Sequence, residues 1–372
     1  MIQLHEVKNK KELKRFVTFP FTLYKDSKYW VPPIISDEVA TLSADKNPAF
    51  LNAEARFFLA YKDNNIVGRV AAIVNWTEIN EQQVKKMRFG WFDTIDDINV
   101  SEALLNKVAE IGNQHKLEYI EGPVGFSNLD KNGALTEGFD HIGTMATWYN
   151  HPYYITHFET LGFKTEKEYI ESKFAFKNLP VERFMRVNDI ILKRFKLKPG
   201  SYTKTSEIIP HLDSMFNLFN QTYSKLSTFV PISDPQRDYF KKKFINFINP
   251  EYIKFVFDEH DIMVAFAIVL PSFSEALQET KGKLFPFGFL KLLKAKKTSK
   301  TALFYLIGVD PHYQNKGVTA VIFNEFHKSF IKFGIETCIR LPELADNLAS
   351  HQIWKDFDTK IIKRRKTFKK ML

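Results

Sequence analysis

Residues 307–323 read Ile307-Gly-Val-Asp-Pro-His-Tyr-Gln-Asn-Lys-Gly-Val-Thr-Ala-Val-Ile-Phe323. An apolar run, 303–309, stops at Asp310-Pro311, a pair that cannot continue a strand. A short polar loop with Gln314, Asn315, Lys316 and Gly317 follows, and an apolar-periodic segment opens at Val318. The pattern predicts strand, loop, helix, with the loop's one glycine at the helix start. A helix start presents backbone N–H groups without intrahelical partners and the positive end of the helix dipole, which together suit a phosphate. Glycine there lets a ligand approach the backbone closely. An ordinary structural turn has the same outline.

Two further stretches recur at a nearly fixed spacing. Trp30-Val-Pro-Pro-Ile-Ile-Ser-Asp37 echoes Phe229-Val-Pro-Ile-Ser-Asp234, and Phe57-Phe-Leu-Ala-Tyr61 with Ile66-Val-Gly-Arg-Val-Ala-Ala-Ile-Val74 echoes the run 253–270. Ser36 to Ser233 is an offset of 197 and Ile66 to Ile262 one of 196. Agreement of two separate segments at one offset predicts a duplicated globular unit, far too long for a solenoid repeat. The expected division is 1–177 and 178–372, with the join near 177–181. Each copy holds a hairpin, 55–61 with 66–75 and 252–257 with 262–270, because β-branched and aromatic runs flank Asp/Asn turns. Helices are expected upstream at 11–24, 36–42, 206–225 and 235–247. Downstream, each copy reads strand, long helix, strand, short helix: 88–94, 101–115, 119–122 and 153–161, then 302–309, 317–333, 337–341 and 347–357.

Composition bounds the rest. The chain has 372 residues, 44% of them hydrophobic and 36 of them Phe, enough for two cores and against disorder. The single cysteine, Cys338, excludes an internal disulfide and a Cys-rich zinc site, and no metal centre is expected. Its apolar surroundings predict a buried, inert thiol. No apolar run reaches the ~20 residues that span a bilayer, so no transmembrane association is expected. Met1-Ile-Gln-Leu-His-Glu-Val7 is no signal peptide, and the expected location is cytoplasmic. A net charge of +10 favours acidic partners such as nucleotide cofactors, nucleic acid or an anionic membrane surface.

The run Gln314-Asn-Lys-Gly317-Val-Thr319 resembles the coenzyme-A pyrophosphate loop of the GNAT acyltransferase superfamily, although Thr319 replaces the usual Gly or Ala. The order of elements resembles the GNAT fold in both halves. The expected class is therefore α/β (α+β, mixed sheet), as two tandem GNAT-like domains. The stretches Trp30-Val-Pro-Pro33, Gly122-Pro123, Gly138-Phe-Asp140 and Tyr149-Asn-His-Pro-Tyr-Tyr154 look like an uncharacterised bacterial tandem group of this kind.

The resemblance implies an acyl-CoA-dependent N-acyltransferase, passing an acetyl group from acetyl-CoA, or another acyl group from its coenzyme-A ester, to a small-molecule or peptide amine. It implies that the loop amides of Asn315, Lys316, Gly317, Val318 and Thr319, with Gln314, hold the pyrophosphate. The Val309 backbone, beside Gly308, would polarise the thioester. Asn347 matches the second family motif, while Trp354 stands where a tyrosine acid is usual and reads as core. Glu343 is the candidate base, with Asp310, His312, Asp140 and His141 behind it. The long loop 122–140, with Asp140, Tyr149 and Asn150, would wall the acceptor site or else serve as an interface loop. The first copy shows Asp93, Asp96 and Asp97 where the second has its loop. These acids would repel a pyrophosphate and read as turn formers and N-caps.

Two other function classes stay open: a non-catalytic acyl-CoA sensor or scaffold, and a Fem-like aminoacyl transferase using tRNA. No DNA partner is expected. The basic run 281–297 is expected to pack its Phe/Leu face on the domain, with membrane, an acyl carrier protein or an acyl chain as other occupants.

Overall fold

Asp63 and Asn64 turn the first hairpin, both at positive φ (51° and 61°). That backbone matches the right-handed twist of the flanking strands, and Asp and Asn tolerate it. The computed structural model describes residues 1–127, 129–179, 181–226, 229–244, 248–355 and 357–372. The end of the helix expected at 235–247 therefore lies outside the described residues, as do position 180 of the expected join, 128 of the long loop and 356 of the last short helix.

In chain order the first half comprises β1 (Gln3–Glu6), α1 (Lys10–Leu23), α2 (Ile35–Thr41), β2 (Ala53–Lys62), β3 (Asn65–Asn75), α3 (Trp76–Asn80), β4 (Lys86–Thr94), α4 (Ile98–Gln114), β5 (Tyr119–Gly122), β6 (Ala134–Glu137), α5 (Tyr153–Thr160) and β7 (Lys164–Ala175). The second comprises α6 (Val181–Arg194), β8 (Lys198–Ser201), α7 (Thr205–Ile208), α8 (Leu212–Tyr223), α9 (Asp234–Phe244), β9 (Ile253–Phe257), β10 (Met263–Pro271), α10 (Ser274–Thr280), α11 (Gly288–Thr298), β11 (Thr301–Val309), α12 (Val318–Phe333), β12 (Thr337–Leu344), α13 (Leu348–Trp354) and β13 (Lys360–Met371). The order of elements from the N-terminal strand onward recurs, with α6 as an addition that sequence periodicity had not flagged.

The chain forms two compact units. The first holds Met1–Ile170, Ser274–Phe289 and Ile362–Leu372; the second holds Glu171–Phe273 and Leu290–Ile361. In the first, the sheet order is β1-β2-β3-β4-β5-β13. The antiparallel pairs β1·β2, β2·β3 and β3·β4 lead to a short parallel pair, β4·β5. β13 pairs antiparallel with β5, with Phe368 opposite Gly122 and Met371 opposite Tyr119, and with β6 as well. In the second, the order is β12-β11-β10-β9-β8, with β11·β12 the parallel pair.

The core of the second unit forms where α12 lays its apolar face on the sheet. Phe304, Phe323, Phe326, Phe330, Trp354 and Phe357 are buried there. Trp354 is thus a core residue, as its apolar spacing suggested; its ring stands edge-on to Phe304 at 5.0 Å. Cys338 is fully buried in the same cluster, and burial holds its thiol well above the ordinary range. That burial agrees with the buried thiol expected from its apolar surroundings.

The basic run 281–297 departs from expectation. Its approach is docked on the first unit: Ser274 Oγ donates to the Gly143 carbonyl at 2.8 Å, and Gln278 Nε2 donates to the carbonyls of Lys28 and Trp30, each at 2.9 Å. The Phe/Leu face itself is not packed away. Phe285, Phe287, Phe289, Leu290 and Leu293 are all exposed, and only Leu292 of α11 is buried. Helical periodicity reports that an apolar face exists, not that protein covers it.

Candidate functional site

In both units the strand entering the parallel pair runs on past its partner. β4 pairs with β5 only from Lys86 to Arg88, then continues to Thr94. β11 pairs with β12 only from Thr301 to Phe304, then continues to Val309. Each strand also carries a register slip against its antiparallel neighbour. A bulge of that kind bends a strand and re-aims its groups. Each unit thus presents a splayed strand end beside the start of its long helix, α4 or α12.

The helix starts differ. α12 begins at Gly317, which sits at φ 79° and gives no side-chain cap. The helix offers no acceptor to its first-turn amides, Val318 and Thr319. Gln314, Asn315 and Lys316 are exposed on the loop. Gln314 Nε2 donates to the Val309 carbonyl at 3.1 Å, which ties loop to strand end. Lys316 Nζ lies 5.5 Å from the ring centres of both Phe195 and Tyr313. Gly317 has a second reason to be glycine: a Cβ would stand 3.2 Å from Ile191 and 3.5 Å from Val187 of α6. So one flank of the loop is packed by α6, while its polar rim faces outward.

α4 starts under its own acid. Asp97 is the N-cap and accepts from the Asn99 amide at 3.0 Å; Lys62 pairs with it at 2.9 Å and helps hold its carboxyl below the usual range. Asp96 lies 3.3 Å from His157 Nε2, whose Nδ1 bonds Ser101 Oγ at 2.8 Å. The strand end beside it is stoppered. Tyr154 OH accepts from the Thr94 amide at 2.8 Å, and Tyr153 OH donates to the Thr94 carbonyl at 2.6 Å. Asp93, expected as a turn former, is instead a buried ion-pair partner. Arg69 Nε donates to it at 2.7 Å, and Tyr24 OH at 2.6 Å. Burial drives the Tyr24 and Tyr154 phenols far above their ordinary range.

Other positions singled out in the sequence have visible duties. Asn347 caps α13 by accepting from the Ser350 amide at 3.2 Å. The two carboxylate oxygens of Glu343 meet Arg340 and Ser350 Oγ. Arg340 is itself buried, 4.8 Å over the Trp354 ring. Gly308 faces α8: a Cβ there would stand 3.0 Å from Thr222 Oγ1. Asp310 accepts from the His312 amide at 2.8 Å, and His312 is exposed.

In the first unit, Asn150 is buried and brackets β6, accepting from the Leu135 amide at 2.6 Å and donating to its carbonyl at 3.0 Å. Tyr149 packs edge-on to Tyr24 at 5.5 Å, and Asp140 and His141 are exposed. Buried Arg365 of β13 donates to the Gly133 carbonyl of the long loop at 3.4 Å and to the Trp148 carbonyl beyond it at 2.7 Å.

Sequence reasoning missed Tyr223. It ends α8, stacks on Phe219 at 4.3 Å and donates to the Ile307 carbonyl at 3.1 Å, in the middle of the splayed part of β11. Burial pushes its phenol up to about 12. No local pattern marks a tyrosine at a helix end as a neighbour of a strand 84 residues later.

No family model matches the chain. Protein YghO of Escherichia coli is 27% identical over 317 residues, covering 84% of this chain and 80% of its own. A bacterial ceramide synthase of Caulobacter vibrioides is 26% identical over 319 residues, covering 83% and 80%. Among solved structures, a tandem GNAT protein from the clavulanic acid biosynthesis pathway superposes with a TM-score of 0.59 at 8% identity, over 100% of this chain and 98% of that one. Further GCN5-related N-acetyltransferases resemble it too. The chain has the mixed α/β GNAT fold, and one of its structural neighbours is itself a tandem GNAT protein.

Proposed function

We propose that the protein is an acyl-CoA-dependent N-acyltransferase whose second unit, near the expected 178–372 half, binds the coenzyme-A ester. One observation carries this reading: α12 starts without a side-chain cap, at a left-handed glycine, beside a strand end that has left its parallel partner. Support comes from an uncapped helix start, its dipole and the exposed Lys316, a donor set suited to a diphosphate, although the Lys316 amide already donates to the Tyr313 carbonyl at 3.3 Å. The name of the Caulobacter relative agrees in chemical class, since ceramide is an N-acyl amino alcohol.

The bound ester would supply an activated acyl carbonyl. The amides of Asn315 to Thr319 would grip its phosphates, and the Val309 amide would polarise the carbonyl as charge develops on its oxygen. The amine nitrogen would form a C–N bond while the C–S bond breaks. Tyr223, at the end of α8, keeps its phenol protonated in the neutral range and would leave the Ile307 carbonyl to donate toward the leaving thiolate. Glu343 would take the ammonium proton after exchanging its contact with Arg340.

Titration with acetyl-CoA and longer acyl-CoA esters tests the reading. Thermal stabilisation together with slowed amide exchange across 315–319 is expected. Absence of both would sink it.

A second reading, a non-catalytic acyl-CoA sensor, is favoured by the engaged state of Glu343 and Asn347. It predicts binding without turnover across a broad panel of amines, long-chain amino alcohols included.

A further inference from the structure

We propose that residues 281–297 form an interfacial anchor that inserts apolar side chains into an anionic lipid surface. The stretch Lys281-Gly-Lys-Leu-Phe-Pro-Phe-Gly-Phe-Leu-Lys-Leu-Leu-Lys-Ala-Lys-Lys297 carries six lysines and no acidic residue. Phe285 is 81% and Phe287 72% exposed, at the tip that precedes α11. Phe289, Leu290 and Leu293 continue the exposed apolar surface on α11. At roughly 100° per residue these three share one arc of the helix, with Lys294 and Lys296 on its flanks and Lys297 within it, one turn beyond Leu293. Leu292, on another side, is the buried residue that seats the helix.

The prongs are displayed by ordered backbone. The Phe289 amide bonds the Leu284 carbonyl at 2.8 Å, and the Lys283 amide bonds that of Thr280 at 3.0 Å. Gly282 sits at φ 66°, where a Cβ would fall 2.1 Å from the Pro33 carbonyl oxygen, so the base of the tip is held tightly.

Charge complementarity selects the occupant. A wholly cationic rim around protruding Phe and Leu fits phosphate headgroups above an acyl layer, with lysine stems lying along the interface and their ammonium groups reaching the phosphates. Phe285 lies 6.1 Å from Phe289, ring centre to ring centre, so the exposed rings form one apolar tip beside Phe287. The inference does not depend on acyl transfer, because it rests on a segment outside the loop of α12.

The experiment is co-sedimentation of the full chain with vesicles of phosphatidylcholine alone and with added phosphatidylglycerol. Binding is expected on the anionic vesicles only, falling as salt rises. Phe285→Ser with Phe287→Ser should weaken it about tenfold or more, since each ring buries a full aromatic side chain. Both rings are exposed, so circular dichroism melting should match the parent. Phe287→Trp gives an independent readout: its emission should shift to the blue on anionic vesicles. No sedimentation with anionic vesicles, or sedimentation indifferent to the Phe substitutions, overturns the proposal. So would Phe-dependent self-association, or Phe-dependent binding to an acidic carrier protein, without vesicle binding.

Discussion

Two splayed strand ends, built alike from one element order, have opposite interiors. β4 is buried along its whole length and closed by tyrosines, while β11 is partly exposed at Tyr305, Leu306 and Ile307. The start of α4 is neutralised by its own Asp97, whereas α12 begins at a bare glycine. The contrast teaches that one order of elements can end either in a helix start capped and hydrogen-bonded from within or in an uncapped one.

The strongest way to break that comparison is to disturb the closed end. Asp93→Ala leaves Arg69 buried without its partner and should cost ~3–5 kcal/mol in urea unfolding. The milder Tyr154→Phe should cost ~1–3 kcal/mol and leave acyl-CoA binding untouched; weakened binding in Tyr154→Phe would move the site to the first unit. At the open end, Tyr223→Phe should lower kcat by ~100-fold with KM little changed. An unaltered kcat would remove the phenol from the chemistry.

Lys316→Glu reverses one exposed charge on the rim proposed to hold phosphate. It should weaken acyl-CoA affinity ~10-fold at low ionic strength, less as salt rises. It is a cleaner probe than any change at Gly317, where positive φ and the nearness of Ile191 would strain the fold itself.

The smallest effect separates the units by pH. Lys254 in the second unit is buried against Ser201 and Ser329, at 3.1 and 3.0 Å, and burial lowers it from 10.5 to about 8. Between those values the unfolded chain binds more protons, so this group adds stability as pH rises through 8. Tyr24 and Tyr154 in the first unit act oppositely: their raised phenols favour the folded state less and less as pH climbs past ~10. Lys254→Met should flatten the first trend, and Tyr24→Phe should weaken the second, in chemical melts taken from pH 7.5 to 11.

Local chemistry was the legible part. The Asp63-Asn64 turn, the alternating strands around it and the glycine before Val318 each report a backbone need that neighbours in sequence satisfy. Asp97 was readable as a cap for the same reason. What escaped were relations set by tertiary placement. Arg69 claims Asp93 from 24 residues away, and Tyr223 reaches Ile307 across 84. α6 went unnoticed although Phe184, Val187 and Ile191 have helical spacing, because the region was read as a join. The exposed face of residues 281–297 was misjudged because amphipathicity is blind to what lies opposite.

The last strand has a bearing on how the molecule is made. β13 supplies Phe368 and Arg365 to the interior of the first unit. On the ribosome β5 emerges long before β13, so its edge stays without this partner strand while the intervening second unit is made. Maturation of the first unit is therefore timed by the synthesis of β13, and a nascent chain stalled before that strand should remain protease-sensitive throughout its oldest part.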